Sequence, residues 1–217
     1  MSSLEDQRVT LPRVSTTEAL VIALRGRILN GSLPPGTRLG EVALAEAHGV
    51  SRQSLRAALV ELAHRGLAEA RPHRGVRVRK LGRDDIDDLY RVREVLEGSA
   101  IRQAAVDPGS WPAIERAIER LERFPFDTPW IDVIDTDIDF HRALVAAAHS
   151  VRLSRIHAAL EGETCLSFMR SDGDDPANVA RLHRRLYEAI RSGDPDAAFA
   201  ELQRHLDLGR ALVLRSI

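Results

Sequence analysis

Apolar residues along this chain fall mostly at helical spacing. After the cap-type residues Ser15, Thr16 and Thr17, Leu20, Leu24, Ile28 and Leu29 predict a helix that Asn30-Gly31 ends. "PPGTRL" (34–39) reads as a turn, and "GEVALAEAHGV" (40–50) as a short helix stopped by His48-Gly49. Ser51 caps a third helix, whose stripe of Leu55, Ala58, Leu59 and Leu62 runs to about Arg65 and ends at Gly66. The period then changes. In "LAEARPHRGVRVRKL" Val76 and Val78 alternate with Arg77 and Arg79 around a turn at Pro72 to Gly75, which predicts a small hairpin with a basic tip. From Asp84 onward the pattern is helical almost throughout. Breaks at Asp107-Pro108-Gly109, 124–129, His149-Ser150, 171–176 and Gly193-Asp194-Pro195 leave five or six helices. The expected fold is mostly α. A winged helix-turn-helix occupies residues 1–80, and an all-α bundle of about six helices occupies 81–217.

Charge divides the chain at the same place. Residues 1–80 carry a net +6 and residues 81–217 a net −7, within an overall −1. A basic third on an acidic remainder suggests a polyanion-binding module joined to a domain of another kind. No apolar run approaches the ~18 residues of a membrane span. The N-terminal stretch lacks the apolar core of a signal peptide. Cys165, the only cysteine, excludes an internal disulfide. The expected location is the cytoplasm.

"SRQSLR" (51–56) concentrates hydrogen-bonding groups in the first turn and a half of the third helix. In a helix-turn-helix that end enters the major groove. Ser51, Arg52, Gln53, Ser54 and Arg56 would lie there. Arginine can bond guanine O6 and N7 together, and glutamine can pair with adenine. On the wing, His73, Arg74, Arg77 and Arg79 could reach phosphates or a minor groove. The alternative is an ordinary surface helix capped by Ser51. The turn glycine, the short helix before it, the basic hairpin after it and the +6 charge favour double-stranded DNA.

The stretch from Leu24 to Val78 resembles the DNA-binding domain of GntR-type bacterial transcription regulators. It carries "ILNGSLPPGTRL", "LAEAHGVSRQSLRAAL", "GL" and "RGVRV" in the family's order. That resemblance implies Arg52 and Arg56 as the main DNA contacts, with Ser51, Gln53, Ser54 and the wing Gly75 near backbone or bases. Many members have an arginine where this chain has Val42, so one contact is expected to be missing.

The second half holds three histidines near apolar stripes. "DIDFHRAL" puts Asp137 and His141 four apart on one helix face, and His183 and His205 lie on two further helices. One carboxylate and three imidazoles could surround a divalent cation and leave two octahedral positions open. Zn, Ni, Mn, Co and Fe all suit such donors. By spacing alone, histidines near an apolar stripe are more often satisfied, half-buried residues, and an i, i+4 Asp–His pair is often a surface hydrogen bond. His48, His64, His73 and His157 read as surface or turn residues. Residues 83–217 resemble the FCD effector domain of FadR-like regulators, through "DIDFHRALVAAAHS" and "LHRRLYEAIRSGDPDAAFAELQRHL". That resemblance implies Asp137, His141, His183 and His205 as metal ligands and a small carboxylic acid as effector. Arg93 resembles the family's pocket arginine, although an intrahelical pair with Glu97 is an equal alternative. The expectation is a homodimeric, metal-dependent transcription regulator, grouped with repressors, on a palindromic operator. The rival is a metal-dependent hydrolase or lyase using the same four residues. A third reading is a purely structural metal.

Overall fold

The computed structural model describes residues 15–71, 75–169 and 175–216. Three helices open it: α1 (Thr16–Leu29), α2 (Glu41–His48) and α3 (Arg52–His64). The expected caps form. Ser15 Oγ accepts from the Glu18 amide at 3.1 Å, and Ser51 Oγ accepts from the Ser54 amide at 3.0 Å. Gly49 joins α2 to α3 at a φ of 63°, the left-handed region that other residues adopt only at a cost. Leu24, Leu55 and Leu62 are fully buried between α1 and α3. Each contributes about 1.5–3 kcal/mol relative to exposure.

The hairpin also forms, as β1 (Ala68–Arg71) and β2 (Gly75–Val78), antiparallel with Ala68 opposite Val78. The tip residues Pro72, His73 and Arg74 lie outside the described residues. The segment read as a turn at 34–39 does more than turn. It runs beside β2, with the Leu39 amide donating to the Val76 carbonyl and the Val78 amide to the Thr37 carbonyl, both at 2.9 Å.

Six helices follow: α4 (Arg83–Val106), α5 (Trp111–Glu122), α6 (Trp130–Ala146), α7 (Val151–Phe168), α8 (Pro176–Arg191) and α9 (Pro195–Leu214). A single 3₁₀ turn at Pro108–Ser110 precedes α5, which at 12 residues is the shortest of the six. Asp175 and Asp194 cap α8 and α9, each followed by a proline at the first helical position. The long α4 lies along α9 and also touches α6, α7 and α8, so it is the spine of the bundle. Among the described residues, no helix is long and apolar enough to cross a membrane.

One continuous apolar core runs through both halves, from Leu20 to Val213. The halves meet where the end of α3 approaches α7. A Cβ added to Gly162 would stand 1.9 Å from the Arg65 carbonyl oxygen. Around this approach Arg25 pairs with Asp135, and Arg79 lies 3.4 Å from Glu163. Cys165 is buried here, and its burial, despite the Arg25 guanidinium beside it, pushes the thiol up to about 12.

Backbone on backbone leaves Gly162 no side chain to move aside. Gly162→Ala should therefore destabilise the protein by about 1–3 kcal/mol, the usual cost of overpacking. Chemical denaturation against the unsubstituted protein measures it, and an unchanged midpoint would show that the halves do not pack this closely in solution.

Candidate metal centre and candidate nucleic-acid interface

The bundle brings the four residues singled out in the sequence to one point. Asp137 and His141 come from α6, His183 from α8 and His205 from α9, and their donor atoms all lie within 4.8 Å of one another. His141 Nε2 faces His205 Nε2 at 3.2 Å, and His183 Nε2 stands 3.0 Å from Asp137 Oδ1. Phe140 packs edge-on against the rings of His141 and His183.

The outer edges of two rings are fixed. The Nδ1 of His183 donates to the Val179 carbonyl at 2.8 Å, so a neutral His183 turns a bare Nε2 lone pair inward. The Nδ1 of His141 meets Glu97 Oε2 at 2.7 Å and is oriented in the same sense. Two buried atoms of the cluster, Asp137 Oδ2 and His205 Nδ1, have no hydrogen-bond partner among the described residues, while His183 Nε2 faces the Asp137 carboxylate. Buried polar atoms left unpaired are costly, and four donor atoms this close together suit a divalent cation. The donor set fits: one carboxylate and three imidazoles without a thiolate.

Electrostatics agree with that fit. Burial raises the cost of charge on Asp137, yet the His183 imidazole beside it, with His141 and Arg93, holds its carboxyl well below the usual range. Burial keeps His205 and His141 low, so both rings favour the neutral, ligating form.

Two participants were not singled out as site residues. Glu97 is fully buried and receives Arg93 Nε at 2.7 Å, His141 Nδ1 at 2.7 Å and His157 Nε2 at 3.4 Å. Burial opposes its charge, but Arg93 and His141 overcome it and keep the carboxyl ionised far below its ordinary value. His157, expected at the surface, is 5% exposed, because α7 turns it inward onto Glu97 and leaves the neighbouring Ile156 outside. Of the two alternatives for Arg93, the intrahelical pair with Glu97 is formed. Arg93 is not part of the wall of the larger cavity beside the cluster.

At the other end of the molecule, Ser51, Arg52, Gln53 and Arg56 are exposed on the first turns of α3, and Ser54 is half-buried under the cap. Glu41, at the start of α2, accepts from Arg56 Nη2 at 2.7 Å and from its Nε at 3.2 Å. Val42 beside it is exposed. On the wing, Gly75 has a φ of 75°, and Arg77 Nη1 donates to the Gly36 carbonyl at 3.0 Å. Arg74 lies outside the described residues.

Two family models match the chain. Residues 16–78 match "Bacterial regulatory proteins, gntR family", and residues 88–208 match "FCD domain". The chain belongs to the GntR family and carries an FCD domain. Among its relatives is the "Probable D-xylose utilization operon transcriptional repressor" of Paenarthrobacter nicotinovorans, 33% identical over 188 residues, covering 82% of this chain and 80% of that protein. The "HTH-type transcriptional repressor RspR" of Escherichia coli K12 is 25% identical over 205 residues, covering 90% and 87%. A crystal structure of a GntR transcriptional regulator from Rhodococcus sp. RHA1 superposes with a TM-score of 0.77 at 28% identity, covering 93% of this chain and 98% of that one. This GntR-family protein is a DNA-binding transcription regulator, not an enzyme.

Within this FCD domain the buried Glu97–Arg93 pair sets a testable cost. Glu97→Gln leaves Arg93 buried without its counter-charge and should destabilise by roughly 3–5 kcal/mol. Arg93→Met together with Glu97→Leu should recover much of that in urea unfolding. The Glu97 carboxyl is depressed in the native state, so its stabilisation is present above pH ~4.3 and lost as the pH falls toward the native value.

Proposed function

We propose that this regulator reads a palindromic operator as a homodimer and adjusts its grip in response to a small carboxylic acid held at a divalent cation. The convergence of Asp137, His141, His183 and His205, whose donor atoms lie within 4.8 Å of one another, carries the reading. Zn, Ni, Mn, Co or Fe would suit these donors. Bound there, a cation supplies Lewis acidity and positive charge that attract a carboxylate.

The chain's own residues do the rest. Glu97 orients His141, and the Val179 carbonyl orients His183. Arg93, by holding Glu97, acts on the cluster from behind. On α3, Arg52, Gln53 and Arg56 read bases, Ser51 and Ser54 sit at the positive helix end near phosphate, and Gly75, Arg74 and Arg77 bring the wing to the duplex. Residues 1–80 serve as the reading domain and 81–217 as the sensing and dimerising domain. A change in helix positions at the cluster reaches the reading head by two routes. The spine helix α4 starts five residues after β2 ends, and α7 abuts the end of α3 at Gly162.

Two measurements test the reading. Arg52→Ala or Arg56→Ala should cost about 1–3 kcal/mol on the operator and relax preference at one base position per half-site. Equal losses on operator and random DNA would remove them as readers. His183→Ala should lower metal stoichiometry and remove the effect of acid on operator affinity, which for a coupling of ~1–3 kcal/mol is roughly 5–150-fold in the unsubstituted protein. Elemental analysis that finds no bound metal, and metal titration that finds no site, in the unsubstituted protein would overturn the sensing half.

A further inference from the structure

Beside the histidine cluster lies a cavity of about 390 Å³. Asp137, His183 and His205 face it, while His141 is not part of its wall. The rest of the wall comes from α6, α8, α9 and the end of α7, and it is chiefly hydrocarbon: Trp130, Val133, Ile134, Leu182, Leu208 and Leu212 are among its larger members. The Trp130 indole N–H already donates to the Phe168 carbonyl at 3.2 Å. What Trp130 offers the cavity is therefore its ring face and edge.

Away from the cluster, the polar side chains on the wall are Asn178, Arg181 and Arg215. Arg181 donates to Asn178, and both arginines are exposed. They place positive charge at the solvent side of the cavity, where it draws anions in. Between them and the cluster, the wall offers few groups to satisfy hydroxyls. A polyhydroxylated acid would lose water from several hydroxyls against leucine and tryptophan and find no replacement. Each methylene placed there instead strengthens binding by roughly fourfold.

We propose that this cavity selects a monocarboxylate with an apolar body, an aryl or alkyl acid, over a polyhydroxylated one. The carboxylate lies toward Asp137, His183 and His205, and the hydrocarbon lies among Trp130, Ile134, Leu182 and Leu212. The placement of the carboxylate rests on the reading of the cluster as a cation site, because beside Asp137 alone it would meet a like charge. The preference for an apolar body rests on the walls and is independent of the cation.

The experiment uses the full chain, loaded with zinc, with Trp111→Phe so that Trp130 is the remaining tryptophan. Phenylpropanoate and hexanoate are titrated against gluconate, followed by Trp130 fluorescence and by calorimetry. The two apolar acids should alter Trp130 emission and bind roughly tenfold or more tighter than gluconate. Leu182→Gln, which makes the wall polar at similar size, and Ala211→Trp, which fills the cavity from an exposed position, should each weaken phenylpropanoate about tenfold or more. Zinc stoichiometry should not change in either. Gluconate binding as tightly as phenylpropanoate, or no acid moving the Trp130 signal, overturns the proposal. In His183→Ala, unchanged phenylpropanoate affinity with the same preference over gluconate supports the apolar cavity and overturns the cation reading.

Discussion

Glu97 carries a charge with no access to water, and much of the bundle is arranged around that fact. It and Arg93 are 0% and 2% exposed, one helical turn apart on α4. Taking an ion out of water costs several kcal/mol, which only close partners offset. Arg93 alone leaves one carboxylate oxygen unmet. His141 from α6 takes that oxygen, and His157 from α7 approaches the one Arg93 holds. One carboxylate thus sets the relative positions of three helices. It also fixes which way the His141 ring turns, and so delivers Nε2 to the cluster on the other side. The structural pair and the candidate metal centre are two faces of the same imidazole.

The contact between the halves works by exclusion rather than attraction. At Gly162 the α7 backbone comes so near the Arg65 carbonyl that no side chain fits, and Gly66, at a φ of 74°, makes the turn that allows it. The Arg25–Asp135 and Arg79–Glu163 pairs around it are partly exposed, so water screens them and they add little stability. Their value is orientation. Leu81 is buried between the wing and α4, and the apolar cluster includes residues of both halves.

What could be read from the sequence was whatever is local. The caps at Ser15 and Ser51, the Gly49 turn, the hairpin and the six later helices follow from spacing within a few residues. So does the shared face of Asp137 and His141. His183 and His205 needed family resemblance, because their meeting depends on how α8 and α9 pack. His157 and the burial of Glu97 were missed for the same reason. In "RLSRIHAAL" periodicity favours Ile156 over His157 as the inward residue, and packing inverts this: Ile156 is 54% exposed. The one local hint of the network was the i, i+4 spacing of Arg93 and Glu97, and nothing near them in sequence says that the pair is dry. The pairing of residues 37–39 with β2, after the predicted turn at Pro34-Pro35-Gly36, was likewise hidden, since its partner lies about forty residues away.

The two ends of the molecule treat their polar groups in opposite ways. On α3 the residues proposed to read DNA, Arg52, Gln53 and Arg56, are exposed, so water can satisfy them, and Arg56 donates to Glu41. At the cluster the polar atoms of Asp137, His183 and His205 lie close together beside the cavity, two of them without a hydrogen-bond partner among the described residues. A fold gains nothing in stability by keeping such atoms when apolar residues of the same shape would pack there without penalty. Their retention beside a cavity walled in hydrocarbon is intelligible if the deficit is what a ligand relieves. Relief of a buried deficit is coupled to the packing of α6, α8 and α9, whereas satisfaction of an exposed residue is not. A signal therefore has reason to enter at the cluster and to leave through α3.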